Sequence, residues 1–211
     1  GSEMCIRDSL FGSCTMQKST VQVNDKGTEW EWNKGTIVVK TPERPAGQES
    51  VIGLALPKME VVRVGFVGLG MRGPGAVSRF TYIPGTQIVA LCDYEKERAE
   101  KCQKYLKEAS LPKAAVYSGD KGYEELCKRD DIDLVYIATD WLHHFPVAKC
   151  ALENGKNVAI EVPSAMNLKE CWELVDLSEK NRKHCMILEN CCYDWFETVS
   201  YTHLTLPTNS L

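Results

Sequence analysis

Short apolar runs alternate regularly with amphipathic stretches between residues 61 and 189, and this alternation limits the folds open to the chain more than any other feature. The runs are rich in Val, Ile and Leu, which is typical of parallel strands covered on both faces. Because right-handed crossovers join such strands, the alternation predicts an α/β fold with a doubly wound, mostly parallel sheet. The predicted strands are 61–67, 87–92, 114–117, 132–138, 157–161 and 185–189, and the predicted helices are 74–80, 95–109, 122–129, 145–154 and 168–181.

The two ends of the chain do not share this pattern. Residues 1–9 and 198–211 resemble translated sequencing-library adaptor, so we expect both to be adaptor-derived scars outside the fold. A genuine irregular tail is the alternative at each end. Between the first scar and the alternating region, residues 10–60 predict a mostly irregular leader with one short strand at 35–40, because prolines and glycines recur there.

The leader begins with a short motif, residues 10–15, that resembles the lipobox of a bacterial lipoprotein signal peptide. Gly12 and Ser13 are small enough for signal cleavage, and Cys14 would then carry a lipid anchor. A chance match is the alternative. Lipidation would place the protein in the periplasm or cell envelope of a bacterium, and without it we expect a cytoplasmic protein.

Composition argues against nucleic-acid binding and against a membrane-spanning segment, and it leaves the role of the cysteines open. The net charge of −4 argues against nucleic acid as a partner, because binding of phosphates needs a basic face. No run of about 20 apolar residues is present to span a bilayer. The ten cysteines form no C-x-x-C pair, so we expect no metal site and mostly inert buried thiols, with a redox or disulfide role as the alternative.

A glycine-rich loop follows the first predicted strand and opens the first predicted helix. It has the spacing Gly68-x-Gly70-x-x-Gly73, and Asp93 lies at the end of the second strand. In a Rossmann-type fold these glycines allow a tight turn, the approach of a pyrophosphate and close packing of the helix. The acidic residue binds the adenosine ribose and disfavours a 2′-phosphate, so the pattern predicts NAD. Arg72 keeps NADP open as the cofactor, and a glycine turn without a ligand is the remaining alternative.

Uncommon residues also follow the later strands. Trp141, His143 and His144 come after the fourth strand, a Glu161-Val162-Pro163 stretch ends the fifth, and Asn190 follows the sixth. In a doubly wound sheet ligands bind beyond the carboxyl ends of the strands. We therefore expect these residues and the glycine loop to share one cleft.

Residues 61–197 resemble the N-terminal, NAD-binding half of the Gfo/Idh/MocA oxidoreductase superfamily. The resemblance rests on the glycine loop, on residues 138–144, which are similar to the A-T-P-x-x-x-H motif, and on residues 161–163, which stand where the superfamily has Glu-Lys-Pro. Val162 replaces the lysine that many of its dehydrogenases use for proton transfer. With the ENCCYD stretch at 189–194, the chain is more similar to glycoside hydrolase family 109.

The resemblance to family 109 implies an α-N-acetylgalactosaminidase that uses bound NAD in a closed cycle of sugar oxidation, elimination, water addition and reduction. It also implies a C-terminal α/β substrate domain that is missing here, so the chain would be an inactive fragment without an identifiable catalytic residue. The implied partner is a glycan with terminal N-acetylgalactosamine, and the sequence leaves a homo-oligomer open. The implied cofactor-binding residues are Gly68, Gly70, Met71, Arg72, Gly73, Asp93, Thr139, Trp141, Leu142, His143, His144, Glu161, Val162 and Asn190.

Two other functions stay open on the sequence. A sugar or polyol dehydrogenase of the same superfamily would accumulate NADH with a free sugar. A non-catalytic NAD-binding module would bind the cofactor and stay inert when the missing half is restored.

Overall fold

The computed structural model describes residues 22–23, 29–39 and 42–189. These divide into two compact units, residues 1–43 and residues 44–211. The described part of the first unit is a small antiparallel sheet of strands β1 (Gln22–Val23), β2 (Glu29–Asn33) and β3 (Thr36–Val39). No helix among the described residues is long and apolar enough to cross a membrane.

This sheet differs from the irregular leader that the sequence predicts. β2 and β3 are joined by Lys34 and Gly35, which both have positive φ, +46° and +86°. Two such residues form the tight turn whose twist suits a hairpin. The predicted strand at 35–40 is present as β3, and the prediction of an otherwise irregular leader is corrected, because β2, where Glu and Trp alternate over 29–32, pairs with it in a hairpin.

The second unit is a six-stranded parallel sheet with helices on both faces. The strand order is β6-β5-β4-β7-β8-β9, and all neighbouring strands are parallel. Successive strands are added to one side of β4 and then, from β7 onward, to its other side. This confirms the predicted Rossmann-type doubly wound sheet. Its elements are β4 (Val62–Val67), α1 (Gly73–Phe80), β5 (Thr86–Asp93), α2 (Lys96–Glu108), β6 (Ala115–Ser118), α3 (Gly122–Cys127), β7 (Leu134–Ile137), α4 (Trp141–Glu153), β8 (Asn157–Glu161), α5 (Leu168–Asn181) and β9 (Cys185–Leu188).

Side chains that alternate along the strands fill two cores, one on each face of the sheet. Phe66 and Leu91 pack on the face covered by α1 and α2, together with Leu106. Val135 and Ile160 pack against α3, α4 and α5 on the opposite face. Burial of both faces explains why the central strands read as continuous apolar runs.

Helix α4 begins at Trp141, earlier than the predicted start at residue 145. Asp140 is the cause, because its Oδ1 accepts a hydrogen bond of 3.0 Å from the backbone N–H of Leu142 and so caps the helix. Asn167 caps α5 as predicted, since its Oδ1 accepts from the backbone N–H of Glu170 at 3.0 Å. Gly155, with φ +71°, follows the end of α4 in the left-handed conformation expected there.

Candidate cofactor-binding site

A cleft of about 880 Å³ lies beyond the carboxyl ends of β4, β5, β7 and β8, where the strand order reverses. Its volume is at the upper end of the range found for small-molecule sites. The cleft is lined by eleven of the predicted residues, namely Gly68, Gly70, Met71, Arg72, Asp93, Thr139, Trp141, His143, His144, Glu161 and Val162. Gly73 and Leu142 are not part of its lining, and Asn190 lies outside the described residues.

The glycine loop is packed so closely that two of its members admit no side chain. Gly68 has φ +91°, and a Cβ there would lie 2.5 Å from the backbone of Ala138 and Thr139. A Cβ on Gly73 would lie 2.0 Å from the carbonyl oxygen of Gly68. Gly70 is different, because its nearest neighbour would be the Arg98 side chain at 3.7 Å. The loop therefore leaves its middle glycine open to the cleft.

Asp93 holds the glycine loop from the end of β5. The residue is only 5% exposed. Oδ2 accepts a hydrogen bond of 2.6 Å from the backbone N–H of Leu69, and Oδ1 accepts one of 3.0 Å from that of Glu95. A carboxylate offers about four acceptor positions, so Asp93 can hold the loop and still accept from a ribose hydroxyl in the cleft. The sequence predicted the ribose contact but not this second role.

Arg98, on the first turn of α2, also lines this end of the cleft. Its Nη1 lies 3.8 Å from Oδ1 of Asp93, and its Nη2 donates to Oε1 of Glu95 at 3.0 Å. Arg98 is not among the site residues predicted from the sequence. The three-residue spacing from Glu95 at the start of a helix was the signal that could have indicated the ion pair.

Asp140 orients His143 at the mouth of the cleft. Oδ2 of Asp140 lies 2.7 Å from Nδ1 of His143. Burial raises the pKa of Asp140, but the hydrogen bonds from His143 and from the Leu142 amide outweigh it and hold that pKa below its ordinary value. The neighbouring Trp141 is 61% exposed. This stretch therefore presents an oriented imidazole and a large aromatic surface.

His144 joins the two loops that follow β7 and β8. It is 1% exposed. Its Nδ1 lies 2.5 Å from the carbonyl oxygen of Pro163, and its Nε2 lies 3.1 Å from that of Thr139. Both ring nitrogens thus face main-chain carbonyl oxygens, and a neutral imidazole donates to one of the two, so His144 contributes to the cleft wall by lying between these loops.

Glu161 is held in place by a residue that the sequence did not indicate. The hydroxyl of Tyr136 donates to Oε1 of Glu161 at 2.8 Å. The Tyr136 ring stacks on Phe66, with centroids 5.1 Å apart, and meets Phe80 edge-on at 5.6 Å. Burial and the Glu161 acceptor raise the pKa of Tyr136 to about 12, so the phenol keeps its proton and donates at neutral pH. Next to Glu161, the partly exposed Val162 gives the end of the cleft an apolar side chain.

The described cysteines, Cys92, Cys102, Cys127, Cys150, Cys171 and Cys185, are all free thiols. Cys92 lines the cleft. Burial, and next the Asp93 carboxylate, raise the pKa of Cys92 to about 12, so its thiol is protonated and poorly nucleophilic at neutral pH. Within residues 42–189 and the described part of the hairpin unit, no three His, Cys, Asp or Glu side chains form a group that could hold a metal ion.

These features fit a dinucleotide. The middle glycine leaves room for a pyrophosphate, which the N-terminus of α1 would face. Asp93 supplies an acceptor for ribose hydroxyls at one end, and the other end offers Trp141, Glu161 and Val162. The residues present thus match the adenosine half, the nicotinamide half and the pyrophosphate of NAD.

Comparison with known proteins agrees with this geometry. The sequence model of the Gfo/Idh/MocA family, described as an oxidoreductase family with an NAD-binding Rossmann fold, matches residues 62–189. This match confirms the predicted NAD cofactor. The solved structure of myo-inositol dehydrogenase from Lactobacillus casei in complex with NAD(H) and myo-inositol is also similar, with 27% identity and a TM-score of 0.57 over 67% of this chain and 41% of that one.

The most informative relatives are glycosyl hydrolase family 109 proteins. Proteins 4 and 5 of this family from Phocaeicola vulgatus are 80% identical over 188 and 194 residues, which are 89% and 92% of this chain. Protein 1 from Bacteroides thetaiotaomicron is 65% identical over 165 residues. The resemblance to family 109 is thereby confirmed. The chain spans just over a third of the length of these relatives, 36% and 37% for the first two.

Proposed function

Because the chain belongs to the Gfo/Idh/MocA oxidoreductase family through its NAD-binding Rossmann domain, we propose that it is the cofactor-binding part of a family 109 glycoside hydrolase. Its substrate in this proposal is a glycan that ends in α-linked N-acetylgalactosamine. The observation that carries the proposal is the 80% identity to two family 109 proteins. The residues that bind the sugar and transfer its protons are assigned to the part of those relatives that this chain does not span.

NAD, when bound, supplies a reversible acceptor for hydride from a sugar carbon. The residues of this chain have the task of holding and orienting it. Asp93 would accept hydrogen bonds from the adenosine ribose, and the amides after Gly70 would bind the pyrophosphate. The oriented imidazole of His143 and the carboxylate of Glu161 would bind the polar groups beyond the pyrophosphate.

Val162 bears on the type of reaction. A valine side chain carries no proton to exchange, so it cannot assist an ordinary alcohol oxidation in the way that a lysine there would. Its apolar side chain lines the cleft instead, so the proton transfers of the proposed cycle would fall to other residues. This reaction would use no pair of carboxylates of the kind that most glycosidases require.

A sugar or polyol dehydrogenase is the second candidate. It is supported by the 27% identity to the myo-inositol dehydrogenase, whose structure contains NAD(H) and myo-inositol. The two candidates differ in redox balance, because a dehydrogenase accumulates NADH and the proposed glycosidase does not.

The test is an assay of this chain extended by its natural C-terminal region, with a chromogenic α-N-acetylgalactosaminide. Aglycone release and NADH absorbance are followed together, and the β-linked substrate is the control. We expect aglycone release without net NADH, and loss of release when NAD is removed. NADH accumulation on a free sugar without aglycone release would contradict the proposal and support the dehydrogenase.

We also propose that Cys14 carries a lipid that anchors the protein in the cell envelope, because residues 10–15 resemble a lipobox. The motif lies outside the described residues. Labelling of the natural precursor with a radioactive fatty acid tests this, and we expect the Cys14→Ala variant to take up no label. Equal labelling of that variant would contradict the anchor.

A further inference from the structure

The adenosine end of the cleft contains a guanidinium that is bound by acidic side chains. Arg98 donates to Glu95 at 3.0 Å and lies 3.8 Å from Asp93. It also lies beside the open middle glycine, since its Nη1 is 3.7 Å from the position of a Cβ on Gly70. The guanidinium of Arg98 therefore lies next to both Asp93, the predicted ribose-binding residue, and Gly70 of the glycine loop.

The Glu95 side chain makes little contribution to the stability of the fold. It occupies the N-cap position of α2, but its side chain makes no capping hydrogen bond. Its backbone N–H is already bound by Asp93. The ion pair with Arg98 is about half exposed on both sides, a setting in which ion pairs contribute little to stability. The Glu95 carboxylate thus mainly acts on Arg98.

A 2′-phosphate on the adenosine ribose carries close to two negative charges and pairs well with a guanidinium. In a Rossmann fold an arginine near the ribose accommodates this phosphate. Here two carboxylates already neutralise that arginine. They would repel the phosphate as well, and Asp120 on the neighbouring loop adds a third negative charge to the same cleft.

We propose that Glu95 is a specificity-determining residue, which sets the preference for NAD over NADP by withholding Arg98 from a 2′-phosphate. The proposal rests on the cofactor site described above. It assigns the latent phosphate contact to Arg98 and not to Arg72, the residue that the sequence indicated. Arg72 also lines the cleft, but within the described residues it forms no ion pair with Asp93 or Glu95.

The test compares NAD and NADP, which differ only in the 2′-phosphate, by calorimetric titration of the full 211-residue chain. For Glu95→Gln we expect NADP to bind on the order of fivefold more tightly than to the wild type, because one negative charge is removed near a doubly charged group. NAD affinity should stay within about twofold. The gain is read as the ratio of NADP affinity to NAD affinity, so that a loss shared by both nucleotides cancels. Glu95→Gln combined with Arg98→Gln should lose the gain in this ratio, and the matched control, Glu95→Gln with Arg72→Gln, should keep it.

Three results would overturn the proposal. The first is equal affinity of the wild type for the two nucleotides, and the second is an unchanged NADP affinity in Glu95→Gln. The third is a gain that survives the loss of Arg98 or disappears with Arg72. If neither nucleotide binds any variant while circular dichroism shows a folded chain, the cofactor site itself is wrong, and the specificity role fails with it.

Discussion

Replacing the middle glycine of the loop should separate cofactor binding from folding. Gly70 is exposed, its φ lies outside the left-handed region, and a Cβ there would meet only the guanidinium of Arg98 at 3.7 Å. The Gly70→Ala variant should therefore keep its free energy of unfolding within about 0.5 kcal/mol of the wild type, or gain up to about 1 kcal/mol through the unfolded chain. In the cleft, however, the methyl group occupies the space that a pyrophosphate needs.

The expected cost to binding is at least tenfold in Kd, which corresponds to about 1.4 kcal/mol. Gly73→Ala is the matched comparison, because its Cβ would lie 2.0 Å from the Gly68 carbonyl oxygen. Two backbone segments would have to separate, at a cost of roughly 1–3 kcal/mol or more. That variant should lose both stability and NAD binding.

Urea unfolding and calorimetric titration with NAD measure the two quantities on the same samples. The reasoning is refuted if Gly70→Ala binds NAD like the wild type. It is also refuted if Gly70→Ala is destabilised as much as Gly73→Ala, since the loop would then not be open at its middle residue.

Three further predictions concern single side chains. Tyr136→Phe keeps the ring packing but removes the donor to Glu161, so the free energy of unfolding should fall by about 1 kcal/mol in urea titrations, and no change would argue against the hydrogen bond. Arg63 lowers the pKa of Asp133 from its ordinary 3.8, so the pair stabilises the folded state above the unfolded pKa and loses this effect as the pH falls through the folded value. The stability difference between wild type and Asp133→Asn should thus be constant from about pH 5 to 7 and shrink below about pH 4, whereas a difference that grows on acidification would contradict this sign. Burial raises the pKa of the half-buried Cys185 to about 11, so iodoacetamide at about pH 8 should modify it much more slowly in the folded chain than in urea, as read by mass spectrometry, and equal rates in the two states would contradict this reasoning.

The sheet could be predicted from the sequence because its strands are covered on both faces. Each buried strand therefore appears as an apolar run, and the alternation with helices permits essentially a doubly wound sheet. The start of α4 could not be placed, because Asp140 caps a stretch, Trp141 to His144, that has no helical periodicity. The hairpin at 29–39 was missed because its turn, Lys34-Gly35, is only a weak signal outside a longer alternating pattern.

The site was predictable to the extent that topology determines it. Parallel strands bring their carboxyl ends to one edge, so residues that follow different strands line the same cleft. The positioning residues depend instead on where long side chains reach. Tyr136 lies inside β7 and donates to Glu161 on the adjacent strand β8. Arg98 on α2 lies 3.8 Å from Asp93 at the end of β5. The separation in sequence between the two residues of each pair matches no helix or strand periodicity, so neither contact could be predicted from the sequence.

Binding of NAD to the chain tests the central claim most directly. Calorimetric titration of the wild-type 211-residue chain should show one saturable site per chain, and the melting temperature should rise with NAD concentration because the ligand binds the folded state. A chain that is folded by circular dichroism but shows neither heat of binding nor a thermal shift at millimolar NAD would contradict the account.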